Sequence, residues 1–129
     1  MAAKITKVAM PKVLVVDDDP DLVAICSLVL ESEGYDITTA SNGCEAYDAI
    51  ANNTADVVLL DAMMPVLDGI TVCKMVKRNP LTKDLPVIMM SASPGLCEQA
   101  KINCADAVIS KPFDLDYLVS TVNQFAHAN

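Results

Sequence analysis

Five short apolar runs, each followed by a stretch of helical period, constrain this chain more than any other feature. They cover residues 13–16, 37–40, 57–60, 87–90 and 107–109. Runs this short and this apolar suit strands buried on both faces, and the longer segments between them supply the helical crossovers that parallel strands need. An α/β fold is expected, with repeated βα units around a parallel sheet.

The helical segments carry their own punctuation. Asp19 and Pro20 stand as N-cap and first helical position of helix one, whose core face is expected to comprise Leu22, Ile25, Cys26 and Val29 before Gly34 ends the turn. Asn42 followed by Glu45 is a capping-box variant opening helix two, which has Ala46, Ala49 and Ile50 on its apolar face and Asn52 and Asn53 at its end. Helix three runs from near Gly69 through Val72, Cys73 and Val76 and stops at Asn79, because the residue before Pro80 is pushed out of the α region. Ser93 and Pro94 open helix four, which contains Gly95 and few strong apolar anchors and is therefore expected to be the least stable. Leu115, Leu118, Val119, Val122 and Phe125 repeat at helical spacing and define helix five.

A length of 129 residues with 53% hydrophobic content suits one domain, with residues 1–11 as a flexible lead-in. No apolar run is long enough for a signal peptide or a membrane span, so a cytoplasmic protein is expected. The net charge of −8 opposes direct contact with nucleic acid or an anionic membrane. Cys26, Cys44, Cys73, Cys97 and Cys104 form an odd set without a C-x-x-C pair, which argues against a disulfide framework and against structural zinc. Reduced and mostly buried thiols are expected. Met63, Met64, Met75, Met89 and Met90 are expected to fill gaps in or near the core.

In an open α/β sheet, ligands bind outside the carboxyl ends of the strands. The first run leads into Asp17, Asp18 and Asp19, the third into Asp61, the fourth into Ser91 and the fifth into Ser110 and Lys111. Acids, a hydroxyl and an amine are thus delivered to one edge. With Asp19 used as a cap, Asp17 and Asp18 remain for chemistry beside Asp61. Carboxylates within about 4 to 6 Å repel by about 2 to 4 kcal/mol per pair at an effective dielectric near 20, so the cluster calls for a cation. Oxygen-only ligands select a hard ion, and Mg2+ tolerates a site with few carboxylates. The single histidine, His127, lies at the tail, which argues against zinc or iron.

Four stretches now stand in order: VLVVDDDPD (13–21), VVLLDAMMPVLDG (57–69), PVIMMSAS (86–93) and ISKPFD (109–114). Together they closely resemble the signature segments of response-regulator receiver domains, chemotaxis receivers included, and the resemblance extends from Lys12 to about Phe125. It implies a flavodoxin-like three-layer sandwich with five helices and strand order 2-1-3-4-5. It implies that Asp17 and Asp18 are the metal-binding pair, that Asp61 is the phosphoacceptor and third acidic ligand, and that Met63 contributes its backbone carbonyl to Mg2+. Ser91 matches the switch hydroxyl and Lys111 the family's lysine, before a peptide bond to Pro112 that is usually cis in relatives. The implied partners are a sensor histidine kinase or a histidine phosphotransfer protein, and a downstream effector or output domain met through strand five and helices four and five. In one respect the chain departs from the family. Receivers commonly carry Tyr or Phe three residues before the lysine as a switch side chain, and here that position is Val108.

A signalling module is expected rather than an enzyme. Two rivals use the same residues differently: a pseudo-receiver that serves as a scaffold without phosphorylation, and a small Mg-dependent phosphohydrolase of the haloacid-dehalogenase type. The first usually loses the acids or the lysine. The second resembles D-x-D motifs, whereas Ala62 and Met63 follow Asp61 here, and it needs room for a cap domain.

Overall fold

The sheet expected from the five apolar runs is present in a computed structural model, which describes residues 10–52 and 55–126. Elements alternate strictly: β1 (Lys12–Val16), α1 (Pro20–Ser32), β2 (Asp36–Ala40), α2 (Gly43–Ala51), β3 (Val57–Asp61), α3 (Gly69–Arg78), β4 (Val87–Ser91), α4 (Pro94–Asn103), β5 (Ala107–Ser110) and α5 (Leu115–Ala126). Every strand pair is parallel and the spatial order is β2-β1-β3-β4-β5. The chain has the flavodoxin-like architecture.

Side chains of a strand alternate between its two faces, so one sheet feeds two cores. Leu14, Val16, Val58, Leu60, Val87 and Met89 point to the face covered by α2, α3 and Ala100 of α4. Val13, Val15, Val57, Leu59, Ile88, Met90 and Ile109 point to the face covered by α1 and α5. Each fully buried Leu, Ile or Met is worth about 1.5 to 3 kcal/mol of transfer free energy, and these central strands supply most of it. The edge is different. In β2, Thr38 and Thr39 are exposed and only Ala40 is buried, so burial on both faces holds for the inner strands and not for this one.

The helix starts follow the capping chemistry of the sequence. Asp19 accepts from the Asp21 N–H at 3.0 Å, Asn42 from the Glu45 N–H at 2.9 Å, and Ser93 from the Leu96 N–H at 3.3 Å. Glu45 reaches back to the Ser41 N–H at 2.9 Å, one residue before the cap itself. Helix faces needed correction in α1. Cys26 and Leu30 are its buried residues, with Leu22 and Val23 packed beside them, whereas Ile25 is 48% exposed. Leu22, Cys26 and Leu30 recur at four-residue spacing and form one stripe, and Ile25 falls a helical step outside it. The α4 helix buries only Ala100, in line with its weak pattern.

Asn53, His127 and residues 1–9 lie outside the described residues. Pro11, counted in the expected lead-in, is fastened to the sheet by the Asp36 N–H, which donates to its carbonyl at 2.9 Å. Opposite the carboxyl edge, Lys77 of α3 ties two loops together: its Nζ donates to the Leu85 carbonyl at 2.8 Å and pairs with Asp106 at 2.7 Å. Asp106 in turn accepts from the Val87 N–H at 2.8 Å. Among the described residues no helix is long and apolar enough to cross a membrane.

Candidate functional site

Strand register decides which side chains meet. Val16 stands beside Leu60, Asp61 beside Met90, and Ser91 beside Ser110, so the residues that end β1, β3, β4 and β5 emerge at one edge. Asp17 leaves β1 with its N–H on the Ala40 carbonyl and is 2% exposed; Asp61 is the last residue of β3 and is 5% exposed. Asp18, next along, is exposed. Asp17, Asp18 and Asp61 each offer a carboxylate oxygen, and the three atoms lie within 4.8 Å of one another.

Lys111 closes the cluster from β5. Its Nζ lies 2.7 Å from Asp17 Oδ2 and 3.2 Å from Asp61 Oδ1. The Lys111 N–H donates to the Ser91 carbonyl at 2.9 Å, and the Lys111–Pro112 peptide is cis. Ser91 is buried, and its Oγ accepts at 3.0 Å from the N–H of Ser93, the cap of α4. Asp61, Met63, Ser91, Ala92, Ser93 and Lys111 together line an open cleft of about 350 Å³. A larger cleft of about 660 Å³ lies at the other edge of the sheet, between Met10, Asp56, Leu81 and Phe125, and borders the limits of the described chain.

Charge balance in the site is uneven. Burial raises the Asp61 pKa, the charge of Asp17 adds to the rise, and Lys111 and the Met63 N–H that the carboxylate accepts from pull it back only partly. For Lys111, burial acts downward but is outweighed by the Asp17 hydrogen bond and the charges of Asp61 and Asp17, so its pKa is raised. One ammonium therefore faces two buried acids and a third at the rim, and negative charge is left over. The donors are all oxygen, which is the set a hard divalent cation takes. Cys26 lies below, its thiol pushed up to about 11 by burial and by Asp17, and stays protonated.

The family model for the response regulator receiver domain matches residues 13–123. This chain belongs to the response-regulator receiver family. The receiver is similar to Protein PilG of Pseudomonas aeruginosa, at 35% identity over 86% of this chain and 84% of that protein. It is also similar to the DNA-binding dual master transcriptional regulator RpaA of Synechocystis, at 35% identity over 88% of this chain; the chain spans only 48% of the length of RpaA. Among solved structures, the chemotaxis response regulator CheY4 of Vibrio cholerae superposes with a TM-score of 0.83, at 31% identity over 91% of this chain and 99% of that one.

Of the residues singled out in the sequence, the receiver brings Asp17, Asp18, Asp61, Met63, Ser91 and Lys111 together around one edge. Val108 is half-buried and packs against the α2–α3 core one strand away. Met63 is 64% exposed, so it is not a core filler; Met89 and Met90 are buried and Met64 packs on the core. The thiols are also less buried than expected. Cys26 and Cys73 are buried, Cys44 is exposed, and Cys97 and Cys104 are in between.

Three residues escaped the sequence reading. Asp68 caps α3 by accepting from the Thr71 N–H at 2.9 Å and lines a shallow cleft with Asp18 and Met63; an acid directly before a helical apolar run was the signal. Gly43 lies so close to the Leu67 carbonyl that a Cβ would be 2.0 Å from it. Val66, in the loop between β3 and α3, holds φ at 73° although it is β-branched and 78% exposed. A side chain of this kind in the left-handed region costs about 1 to 3 kcal/mol. Val66→Gly removes that strain and loses no packing, against a gain in unfolded-chain entropy of up to about 1 kcal/mol. The variant is expected to be more stable by about 1 kcal/mol, read as a higher urea midpoint at unchanged slope; a lower midpoint would show that the loop carries no strain.

Proposed function

We propose that this receiver takes a phosphoryl group from a phosphohistidine onto Asp61, in the cytoplasm, and passes the change to a partner through β5, α4 and α5. The observation that carries this reading is Lys111 Nζ bridging Asp17 and Asp61 at 2.7 and 3.2 Å while Asp61 opens onto the cleft with Ser91. A general polar turn has no use for a buried acid kept short of full neutralisation.

A carboxylate oxygen of Asp61 forms the new bond to phosphorus in line with the breaking phosphorus–nitrogen bond, and the imidazole leaves. Lys111 places a point charge beside the phosphoryl oxygens, and the Ser91 hydroxyl donates to one of them once it turns from the Ser93 N–H. Asp17, Asp18 and Asp61, with the Met63 carbonyl, are the residues that would hold Mg2+. When bound, the ion supplies neutralisation of the acidic cluster and of the charge on the phosphoryl oxygens. The donor is a sensor histidine kinase or a histidine phosphotransfer protein, and the recipient of the signal is an effector or output domain.

Ser91 is two residues from the cap of α4, so its rotation pulls on the least anchored helix. With Val108 in place of an aromatic, no ring can flip inward, and the change in the surface is graded rather than all-or-none. Incubation with acetyl phosphate and Mg2+ is expected to add one phosphoryl mass to the intact protein and none in chelator. No gain under either condition would leave a receiver fold that acts as a scaffold, and continuous release of inorganic phosphate from small esters would instead favour a phosphohydrolase.

A further inference from the structure

The loop that carries Met63 is tied at its base, bent at its crest and propped from one side. Its base closes where the Gly69 N–H donates to the Ala62 carbonyl at 3.0 Å, and Ala62 is itself fixed to β4 by its N–H on the Met90 carbonyl at 2.9 Å. At the crest the Leu67 N–H donates to the Pro65 carbonyl at 2.8 Å, which closes a three-residue turn around Val66 at φ 73°. A γ-turn with positive φ at its centre is the rare and strained hand, and a β-branched residue there adds to the strain. Val66 is exposed, so packing of its own side chain does not hold it in place.

The restraint comes from a neighbouring helix. Leu67 lies against the start of α2 so closely that a Cβ on Gly43 would stand 2.0 Å from the Leu67 carbonyl oxygen, 2.7 Å from its Cβ and 2.8 Å from its carbonyl carbon. Only a residue without a side chain permits this approach. The helix start is itself firmly built: Asn42 accepts from the Glu45 N–H at 2.9 Å, Glu45 accepts from the Ser41 N–H at 2.9 Å, and Ala46 and Ile50 are buried. On the other flank Asp68 caps α3 through the Thr71 N–H at 2.9 Å. Leu67 is thus trapped between two helix starts, and the loop has no slack through which Val66 could relax to negative φ.

We propose that Gly43 is a positioning residue for the site, and that the close approach it permits between α2 and Leu67 keeps the strained loop, and with it Met63, in place beside Asp61. Met63 lines the cleft that holds Asp61, Ser91 and Lys111, and it also lines the shallower one between Asp18 and Asp68. A shift of the crest is therefore a shift of the wall that both clefts share. Pushed outward by a methyl group at position 43, Leu67 gives Val66 the slack to leave the left-handed region, and Met63 moves with the turn. With glycine at position 66 the turn is at ease at positive φ, so the same push is absorbed locally. The consequence for Mg2+ rests on the proposed function, in which the Met63 carbonyl is a ligand; the propping of the loop does not.

The test compares wild type, Gly43→Ala, Val66→Gly and the double variant. Amide spectra in chelator should show Gly43→Ala shifting the signals of residues 62–68, and the double variant returning those of Ala62, Met63 and Met64 towards wild type. Urea midpoints in chelator should show a smaller loss from Gly43→Ala in the Val66→Gly background than in the wild type. By calorimetry, Mg2+ affinity should fall about tenfold or more in Gly43→Ala, the scale usual when the support behind a metal ligand is removed, and recover in the double variant. Val76→Ala removes buried packing from α3 away from the loop and should lower stability with Mg2+ affinity unchanged. Equal affinity in Gly43→Ala and wild type, the same loss of affinity in Val76→Ala, or additive midpoints in the double variant would overturn the proposal. Should Gly43→Ala fail to fold, folding of the double variant carries the same meaning as the rescue, and its failure to fold overturns the proposal. A wild type that binds no Mg2+ would sink the metal site of the proposed function, and the spectra and midpoints in chelator would still decide whether α2 props the loop.

Discussion

Asp61→Asn is expected to abolish phosphoryl uptake from acetyl phosphate and, in chelator at neutral pH, to make the protein more stable by about 1 kcal/mol. The two effects share one cause. A carboxylate pair as close as Asp17 and Asp61 repels by about 3 kcal/mol at an effective dielectric near 20, and Lys111 offsets most but not all of it. Burial raises the folded-state pKa of Asp61 above its unfolded value, so its charged form opposes folding. That penalty is full above the raised pKa. It fades as pH falls through the raised value and is gone below the ordinary carboxylate value near 4. The advantage of the Asn variant should therefore be largest at neutral pH and vanish in acid. Saturating Mg2+ should reverse the ranking, because a ligand at 100 times its Kd adds about 2.7 kcal/mol to whichever protein binds it. Urea midpoints at pH 7 and near pH 4, with and without the ion, read all of this. Equal stability of the two proteins in chelator at pH 7 would show that Lys111 neutralises the cluster completely.

The legible part of the fold was the part written in strand pattern. Runs such as VVLL and VIMM have no polar residue to place, so they had to become inner strands, and each was observed to extend one residue into Asp61 or Ser91. That extension matters because it puts the chemistry on the rigid sheet rather than on a loop. The order of the strands was not in the pattern; it came with the resemblance, and the pairing agrees with it. What periodicity could not separate were residues near the edge of a helical stripe. Ile25 and Cys26 are adjacent in the chain, yet one faces solvent and the other the core.

The site was legible as a set of residues but not as a geometry. Spacing brought Asp17, Asp18, Asp61 and Lys111 to one edge, while the closer approach of Lys111 to Asp17 than to Asp61 depends on how β5 ends, which no motif states. Methionine usually fills core gaps, and Met63 departs from that preference because it lies exposed in the loop that lines the cleft. Likewise a free cysteine is a small hydrophobe on average, and which of the five is exposed, as Cys44 is, depends on tertiary packing.

Gly69→Ala is expected to cost about 3 kcal/mol or more, the largest stability effect of any single methyl group added to this chain's glycines apart from its counterpart at Gly43. A Cβ at position 69 would stand 2.0 Å from the Asp61 carbonyl oxygen and 2.9 Å from the Ala62 Cα. Both obstacles are backbone of β3 and its exit, so no side chain can swing aside, and the Gly69 N–H is held to the Ala62 carbonyl at 3.0 Å. Relief requires α3 to step back, which opens the layer where Ile70, Val72, Cys73 and Val76 are buried. Helix propensity acts the other way by up to about 1 kcal/mol and is overwhelmed. Gly95 supplies the control. It also lies in the first turn of a helix, but the nearest atom to its Cβ would be Ser93 Oγ at 3.8 Å, so Gly95→Ala should be neutral or stabilising by up to about 1 kcal/mol. The same substitution thus changes sign between α3 and α4, because α3 starts in contact with the strand that carries Asp61 and α4 does not. Urea denaturation of the pair measures it directly, and a loss below about 1 kcal/mol at Gly69 would mean that α3 can shift without disturbing the core. The strain would fall on Asp61, whose own carbonyl is the obstacle, so phosphoryl uptake by folded Gly69→Ala should also slow.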